Sequence, residues 1–308
     1  MNKAPKMNEF LKIDSISKLH RLIGYPKPMH PLISVVNLSE VKNTAQFSDK
    51  KLISSYYSIY LKTGSSSLKY GRSYYDFEEG TLVATAPEQV ISLKKNEEEA
   101  NLGGWALYFH PDLIRQYPLA NKMKQYGFFS YESKEALHLS DKEKAIITSV
   151  FEKITEEYET NIDEFSQDVL VTSVELLLNY VQRYYKRQFI TRKVVHSDLL
   201  SNLENLIKEY FNSELLAVNG LPKVSYFASR LNLSPSYLSD LLKKETGRNA
   251  QEHIHYYLIE KAKNLLLNTN LTVSEIAFQL GFEYPQYFSR IFKKKTSHTP
   301  IEFRNLGA

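Results

Sequence analysis

The sequence predicts a multidomain α+β fold: a small all-β barrel or sandwich, a helical segment, and an all-α C-terminal domain. Three observations support this prediction. Residues 31–109 contain short β-branched and aromatic runs bounded by Gly, Pro, Ser and Asn, as strands do. Helical periodicity begins near residue 111. The last part of the chain carries an internal repeat of about 50 residues, and each copy has the pattern of a helix, a turn and a helix.

Length and composition narrow the class of protein. A chain of 308 residues suggests two domains, and it contains no Cys, which excludes disulfides, thiolate nucleophiles and Cys metal sites. Without a signal peptide or a run of 18 apolar residues, we expect a cytoplasmic protein that does not span a membrane. The net charge is +4, and residues 221–308 hold 12 Lys/Arg against 7 Asp/Glu. This excess favours a polyanionic partner for the last part of the chain.

The N-terminal half is predicted to hold an arm followed by the barrel. Residues 1–30 are polar and irregular, so we expect an arm there. Residues 31–120 form the barrel, and its strand-like runs are "LISVVNL", "ISSYYSIYLKT", "GTLVATAP", "VISLKK" and "WALYFH".

Residues 121–188 are predicted to be helical, with longer helices over 141–158 and 164–188. The second of these carries an apolar stripe: Val169, Val174, Leu177, Leu178, Val181, and Tyr184 or Tyr185. The stripe could pack on the barrel or form a dimerisation seam, and the sequence leaves both open. Residues 189–197 are predicted to be a linker, and residues 198–308 to be helical.

The repeat has the parts of a helix-turn-helix unit. Val224–His253 resembles Val273–Phe303, with an offset of 49 in the first helices and 50 in the second, because the second turn is one residue longer. Ala228 and Ala277 are small where two helices must cross. Asn232 and Gly281 occupy turn positions that tolerate a left-handed conformation. Ser234 before Pro235 predicts an N-cap, and Thr272 with Glu275 predicts a capping box.

The second helix of each unit is predicted to have a buried face and an outward face. The buried face holds Leu238, Leu241 and Leu242 in the first copy and Phe288, Ile291 and Phe292 in the second, with the aromatic residues of that helix in the core. The predicted base-reading residues are Ser236, Ser239, Asp240, Gln286, Ser289 and Arg290. The predicted phosphate contacts are Lys243, Lys244, Lys293, Lys294 and Lys295.

The two units are joined by a predicted helix over about residues 250–267, which spans roughly 27 Å. Such a helix could hold two recognition helices about one turn of DNA apart, near 34 Å. Double-stranded DNA is therefore the predicted partner. The alternative is an αα-hairpin repeat used for packing or for protein binding.

The segments "LSPSYLSDLLKKETG", "VSEIAFQLGFEYPQYFSRIFKK" and "TPIEFR" closely resemble the AraC/XylS family of bacterial transcription regulators. The resemblance covers about residues 198–308 and implies a seven-helix domain with two helix-turn-helix units in adjacent major grooves. Upstream, residues 70–93 and 105–114 more loosely resemble the cupin-like effector barrel of that family. The resemblance also implies an arm that can fold over a ligand, a helix that makes a homodimer, and contact with RNA polymerase.

Asp240 departs from the family pattern, because Arg290 holds the equivalent position in the second copy, where a base is often contacted. A carboxylate can accept from cytosine N4 or orient Lys243, but it also repels phosphate. Arg290 and Gln286 are therefore the stronger candidates for base reading.

The barrel shows no pattern of catalytic or metal chemistry. Residues 31–120 contain His110 alone, with His30 just before them, and Tyr74, Tyr75 and Asp76 stand where a metal cupin would carry its histidines. We therefore predict no enzyme, no metal and no cofactor. A small-molecule effector is possible, and the candidate lining residues are Tyr56, Tyr60, Tyr74, Trp105 and Tyr108. Plain core packing is the alternative for each of them.

These features together predict a DNA-binding transcription regulator, in the family's usual role an effector-responsive activator. One alternative is a constitutive DNA-binding protein whose barrel only dimerises. The other is a cupin-type enzyme fused to a DNA-binding domain, which the lack of His pairs in the barrel disfavours.

Overall fold

The structure, a computed structural model, describes residues 10–42, 51–63, 80–92, 103–132, 135–160, 163–191 and 193–306. The chain divides into two compact units, Met1–Thr191 and Arg192–Ala308. The first unit mixes strands and helices, whereas the described part of the second is helical. The predicted combination of an N-terminal β region with a helical C-terminal region is confirmed.

The strands of the first unit form two sheets. The strands are β1 (Phe10–Ile13), β2 (Ile33–Asn37), β3 (Lys51–Ser54), β4 (Tyr57–Thr63), β5 (Gly80–Thr85), β6 (Val90–Ser92), β7 (Gly103–Phe109) and β8 (Leu137–Leu139). The larger sheet is antiparallel with the order β2-β7-β4-β5-β8. The smaller sheet has the order β1-β3-β6, with β1 parallel to β3. These described strands do not close into one cylinder, so a closed barrel remains a prediction.

The predicted irregular arm is partly regular. It contains β1 and the helix α1 (Ile16–Ile23), which begins after the N-cap Ser15 and ends at Gly24 in the left-handed region. The buried residues of α1 include Ile16, Leu19 and Ile23, which pack on side chains of both sheets. The helix has eight residues, so its apolar pattern repeats over only about two turns. Because polar residues surround it, the sequence pattern did not predict this helix.

The other described α-helices of the first unit are α2 (Pro111–Ile114), α3 (Pro118–Lys122), α4 (Asp141–Glu159) and α5 (Ser166–Thr191). The predicted stripe on α5 is buried at all positions but one, Val169, which is 44% exposed. The others are packed within this unit, and a dimerisation seam on α5 stays a prediction. The strand β8 lies inside the segment predicted to be helical, and its three residues are too few to show alternation.

The second unit has eight helices within the described residues. They are α6 (Lys193–Asn212), α7 (Leu215–Asn219), α8 (Val224–Arg230), α9 (Pro235–Thr246), α10 (Ala250–Asn268), α11 (Val273–Gln279), α12 (Pro285–Thr296) and α13 (Pro300–Leu306). The predicted linker 189–197 is helical in its described residues. Phe189 is buried and continues the packed face of α5.

One hydrophobic core joins both copies of the repeat. Phe227 and Leu238 of the first copy and Phe288 and Phe292 of the second belong to the same buried cluster, to which α10 contributes Leu258 among others. Arg304 fastens α13 to the end of α10, because its guanidinium donates to the carbonyls of Leu266 (3.0 Å) and Leu271 (2.6 Å). This bond gives a structural role to the last residue of the "TPIEFR" segment.

Three helices of the second unit begin with a carboxylate that caps them. Glu252, Glu275 and Glu302 accept the backbone N–H of Asn249, Thr272 and Thr299 at 2.7–2.9 Å. These hydrogen bonds are the main reason that the pKa of each carboxyl is lowered from its usual 4.5. The predicted box at Thr272 and Glu275 is confirmed.

We expect these caps to make the stability of the second unit sensitive to acid. Since the folded-state pKa values are lowered, the caps stabilise fully above the unfolded pKa and lose this effect as the pH falls through the folded values. Replacing all three by Gln keeps an amide oxygen as acceptor but removes the titration. Guanidinium unfolding at neutral pH and at about pH 3.5 should show a smaller loss for the triple variant.

The exposed Glu209 of the last turn of α6 provides the control. Glu209→Gln should leave the acid loss unchanged. An equal loss in the triple variant and the unmodified chain would contradict a role of the caps.

Candidate nucleic-acid interface

The first helix-turn-helix unit consists of α8, a four-residue turn over residues 231–234, and α9. Asn232 in the turn has a positive φ of 55°. The N–H of Leu233 donates to the carbonyl of Ala228 (2.9 Å), which closes the end of α8. The predicted N-cap is confirmed, because Ser234 Oγ accepts from the N–H of Tyr237 at 3.2 Å and Pro235 opens α9.

The second helix-turn-helix unit, formed by α11 and α12, repeats this geometry. Gly281 has a φ of 82°, and the N–H of Phe282 donates to the carbonyl of Ala277 (3.0 Å). Ala228 and Ala277 are both fully buried, as expected where two helices cross closely. The same hydrogen bond at equivalent positions confirms that the sequence repeat is a structural repeat.

The predicted contact residues lie on the second helix of each unit, with different degrees of exposure. On α9, Ser236, Ser239 and Asp240 are half-buried, whereas Lys243 and Lys244 are exposed. On α12, Ser289 is half-buried, and the exposed residues are Gln286, Arg290, Lys293, Lys294 and Lys295. The second helix-turn-helix unit therefore exposes more of its predicted contact residues to solvent than the first.

The basic ends of α9 and α12 converge near the start of α10. Besides its capping bond, Glu252 has its pKa lowered by the positive charges of Lys295, Lys243 and Arg248. Lysines from both recognition helices thus act on one carboxylate. The burial of His255 lowers its pKa, and Lys295 lowers it further, so this imidazole is neutral at neutral pH. Such a concentration of cations is suited to a polyanion.

The aromatic residues at the start of α12 are not all core residues, contrary to the sequence prediction. Phe288 and Phe292 are fully buried, but Tyr287 is 45% exposed. The equivalent Tyr237 of α9 is only 4% exposed. Aligned residues of the two units therefore have different surroundings, which the alignment alone did not reveal.

Residues 227–306, which contain most of both units, match the family model described as a helix-turn-helix domain, and this model is of the AraC type. The C-terminal domain is therefore a helix-turn-helix domain of the AraC type. Its C-terminal unit is thus a DNA-binding domain of the kind found in transcription regulators.

Several proteins to which this chain is similar are transcription regulators. It is 26% identical over 259 residues to the uncharacterised HTH-type transcriptional regulator YfiF of Bacillus subtilis (strain 168), which is 82% of this chain and 77% of that protein. It is 35% identical over 86 residues to the xylose operon regulatory protein of Escherichia coli (strain K12), which is 28% of this chain and 22% of that protein. The chain thus spans most of the first relative but under a quarter of the second.

Among solved structures, the AraC-family domain is similar to the C-terminal domain of the two-component response regulator yesN from Fusobacterium nucleatum. The two are 36% identical, the match covers 35% of this chain and 98% of that one, and the TM-score is 0.31.

In the N-terminal unit, two of the predicted effector residues lie together. The rings of Tyr60 and Tyr108 meet edge to face with centroids 5.7 Å apart. Burial raises the pKa of both hydroxyls, that of Tyr108 well above its usual value, so both stay protonated and can donate. Tyr56 belongs to the same hydrophobic cluster as Tyr108.

The other two predicted effector residues lie elsewhere. Trp105 stacks on Phe151 of α4, with centroids 6.3 Å apart. Since side chains alternate along β7, Trp105 and Tyr108 point to opposite faces of the sheet. Tyr74 lies outside the described residues.

A row of buried hydroxyl groups crosses the larger sheet beside these tyrosines. Ser34, Tyr108, Ser58 and Thr85 are consecutive partners on β2, β7, β4 and β5, so they share one face. Each is at most 8% exposed. The Thr85 Oγ1 atom is buried, and it has no hydrogen-bond partner among the residues that the structure describes. A buried polar atom without a partner is costly unless another molecule provides one.

His20 of α1 closes one end of this row. Its Nδ1 contacts the carbonyl of Pro26 and therefore carries the proton, and its Nε2 lies 2.7 Å from the Ser34 hydroxyl, which donates to it. Burial lowers the pKa of His20, so the imidazole is neutral. The sequence analysis did not single out Ser34, Ser58 or Thr85, because strand alternation alone cannot show that α1 and the smaller sheet pack over this face.

Within the described residues, no group of three or more His, Asp or Glu is placed to hold a metal ion. The described helices include no apolar segment with the length of a membrane span.

Proposed function

We propose that this protein is a sequence-specific transcription regulator of the AraC family that places α9 and α12 in adjacent major grooves of double-stranded DNA. We also propose that it responds to a small molecule bound in its N-terminal unit. The observation that carries the DNA-binding part is the duplicated helix-turn-helix on one core, with the basic ends of both second helices exposed. An αα-hairpin repeat used only for packing would give no reason for five exposed lysines at these two helix ends.

The roles of individual side chains follow from their exposure. Gln286 and Arg290, both exposed, are proposed to contact base edges. The half-buried Ser236, Ser239 and Ser289 are proposed to contact base edges with their shorter side chains. The lysines of α9 and α12 are proposed to contact phosphates. Asp240 is half-buried and is assigned to orienting a neighbouring side chain rather than to phosphate.

Replacing Lys293, Lys294 and Lys295 by Gln should weaken DNA binding and flatten its dependence on salt. Each phosphate contact releases about 0.9 counterion, so the slope of log K against log salt should fall by roughly 2–3. The measurement is a salt titration of fluorescence anisotropy with duplexes from the DNA upstream of the chain's own gene. The site on this DNA is found first by footprinting.

The control removes the same charge from the other unit. The exposed lysines replaced there by Gln are Lys124, Lys142 and Lys153. This variant should keep the original slope. If both triple variants changed the slope equally, the lysines of α12 would act only through the net charge, and the proposed docking would be wrong.

The proposed effector site is the buried face that carries Tyr60, Tyr108 and Thr85, with Tyr56 at its edge. The support for it is the unpartnered Thr85 hydroxyl beside two protonated tyrosine hydroxyls, a set that suits a small ligand with hydroxyl or carbonyl groups. Tyr74 and Trp105 are kept as weaker candidates. The existence of a xylose operon regulator among the relatives makes pentoses a natural part of the ligand panel.

A thermal-shift screen of the full chain with sugars and small metabolites tests this site, because a ligand stabilises the state it binds. A compound that raises the Tm should lose this effect in Thr85→Val. The substitution preserves shape and removes only the unpartnered hydroxyl, so the unliganded variant should be at least as stable. A shift that survives in Thr85→Val would place the ligand elsewhere, and no shift at all would favour a constitutive DNA-binding protein.

The remaining parts of the proposal concern the whole chain. They are a cupin-like barrel at residues 31–120, an arm at 1–30 that bears on the ligand, a homodimer built through residues 121–188, a junction at 189–197 to the DNA-binding domain at 198–308, and activation through RNA polymerase in the cytoplasm. The family resemblance supports them. Since most of the apolar stripe on α5 is buried within the unit, a dimer would use other residues of this segment.

A further inference from the structure

Tyr287 and Arg290 form a stacked pair on the exposed side of α12. The Arg290 Cζ lies 5.3 Å from the centroid of the Tyr287 ring. The two residues are three apart, so they are neighbours on the helix surface. A guanidinium over an aromatic face is held by the ring quadrupole, and this attraction grows when water is removed.

The ring beneath Arg290 is itself fixed. Tyr287 meets Phe282 edge to face, with centroids 5.9 Å apart. Phe282 is 3% exposed and lies in the turn between α11 and α12, where its N–H is bonded to Ala277. The position of the guanidinium is thus linked through one ring to the buried turn of the unit.

The first helix-turn-helix unit cannot make the same pair. Tyr237, the equivalent of Tyr287, is 4% exposed, and Asp240 replaces Arg290. An anion is not attracted to an aromatic face. The two units therefore differ in how far a base-reading side chain is preorganised, although their turns are alike.

We propose that Tyr287 is a positioning residue that holds Arg290 in the orientation needed to contact a base, and that it thereby determines sequence specificity. This inference rests on the proposed DNA binding through α12. A long exposed arginine loses conformational freedom when it binds, and ordering it beforehand reduces that cost. The ring thus strengthens the bidentate contact with the matched base more than contacts with other bases.

A double-mutant cycle tests the proposal. The full chain and its Tyr287→Leu, Arg290→Ala and double variants are titrated with the footprinted duplex and with duplexes changed at one base pair each. Tyr287→Leu should reduce discrimination at the base pair read by Arg290 by about three- to thirty-fold. In the Arg290→Ala background, Tyr287→Leu should cause no further loss of discrimination, because its effect passes through the guanidinium.

Tyr287→Phe is the matched control, since it keeps the ring and removes the hydroxyl. It should preserve discrimination to within about two-fold. A loss as large as that of Tyr287→Leu would assign the role to the hydroxyl and overturn the proposal. So would unchanged discrimination in Tyr287→Leu, or equal losses with and without Arg290. Failure of the unmodified chain to bind any duplex would instead overturn the proposed function, so the two failures are distinguishable.

Discussion

Gly281→Ala should destabilise the C-terminal unit, residues 192–308, by about 2–4 kcal/mol. Gly281 has a φ of 82°, a conformation that costs an L-residue roughly 1–2 kcal/mol. In addition, an added Cβ would lie 2.8 Å from Leu216 Cδ1 and 3.1 Å and 3.2 Å from the backbone of Gly220 and Leu221. The Leu216 side chain can turn away, but the backbone of Gly220 and Leu221 would have to move by a few tenths of an ångström. Guanidinium unfolding of the full chain measures the change.

Gly247→Ala separates the two causes. Gly247 has a similar φ of 76°, but a Cβ built there meets no atom within 4 Å. It should therefore show only the conformational cost of about 1–2 kcal/mol. Equal losses at both positions would mean that the contacts around Gly281 relax freely, and that the turn is not held as tightly as the structure indicates.

Arg290→Ala should remove discrimination at particular base pairs by about 1–3 kcal/mol, which is roughly 5- to 150-fold in relative affinity. Arg290 is exposed on α12 and carries the planar donor fork that matches guanine in the major groove. Competition binding with duplexes altered one base pair at a time gives the discrimination at each position.

Arg290→Lys is the control for charge. Lys keeps the positive charge but lacks the bidentate fork, so it should retain general affinity and lose discrimination. If Arg290→Ala weakened binding equally on every sequence, Arg290 would be a phosphate contact.

The helix-turn-helix units were predictable because their constraints are local. An N-cap such as Ser234, a small residue such as Ala277 and a left-handed turn residue such as Gly281 each leave a mark in a few consecutive residues, and the structure confirms them. The repeat strengthened two of these signals, the small residue and the left-handed turn residue, because each of them occurs in both copies.

The remaining features depend on which surface covers which residue, and such coverage is not local. Tyr237 and Tyr287 align, yet one is buried and the other is half-exposed, because the residues around them differ. Likewise, Thr85 belongs to an alternating strand, and alternation cannot tell a solvated face from one covered by a distant helix. The exposed Tyr287 on α12 and the buried hydroxyl of Thr85 could therefore not be predicted from the sequence.

The shared core around α10 has a consequence for folding. Residues of α10 pack against both helix-turn-helix units, and Arg304 from the last helix bonds to carbonyls at its far end. Neither unit can melt without uncovering apolar surface of the other, so the pair should unfold as a single cooperative body. Damage to one DNA-reading half is thereby transmitted to both.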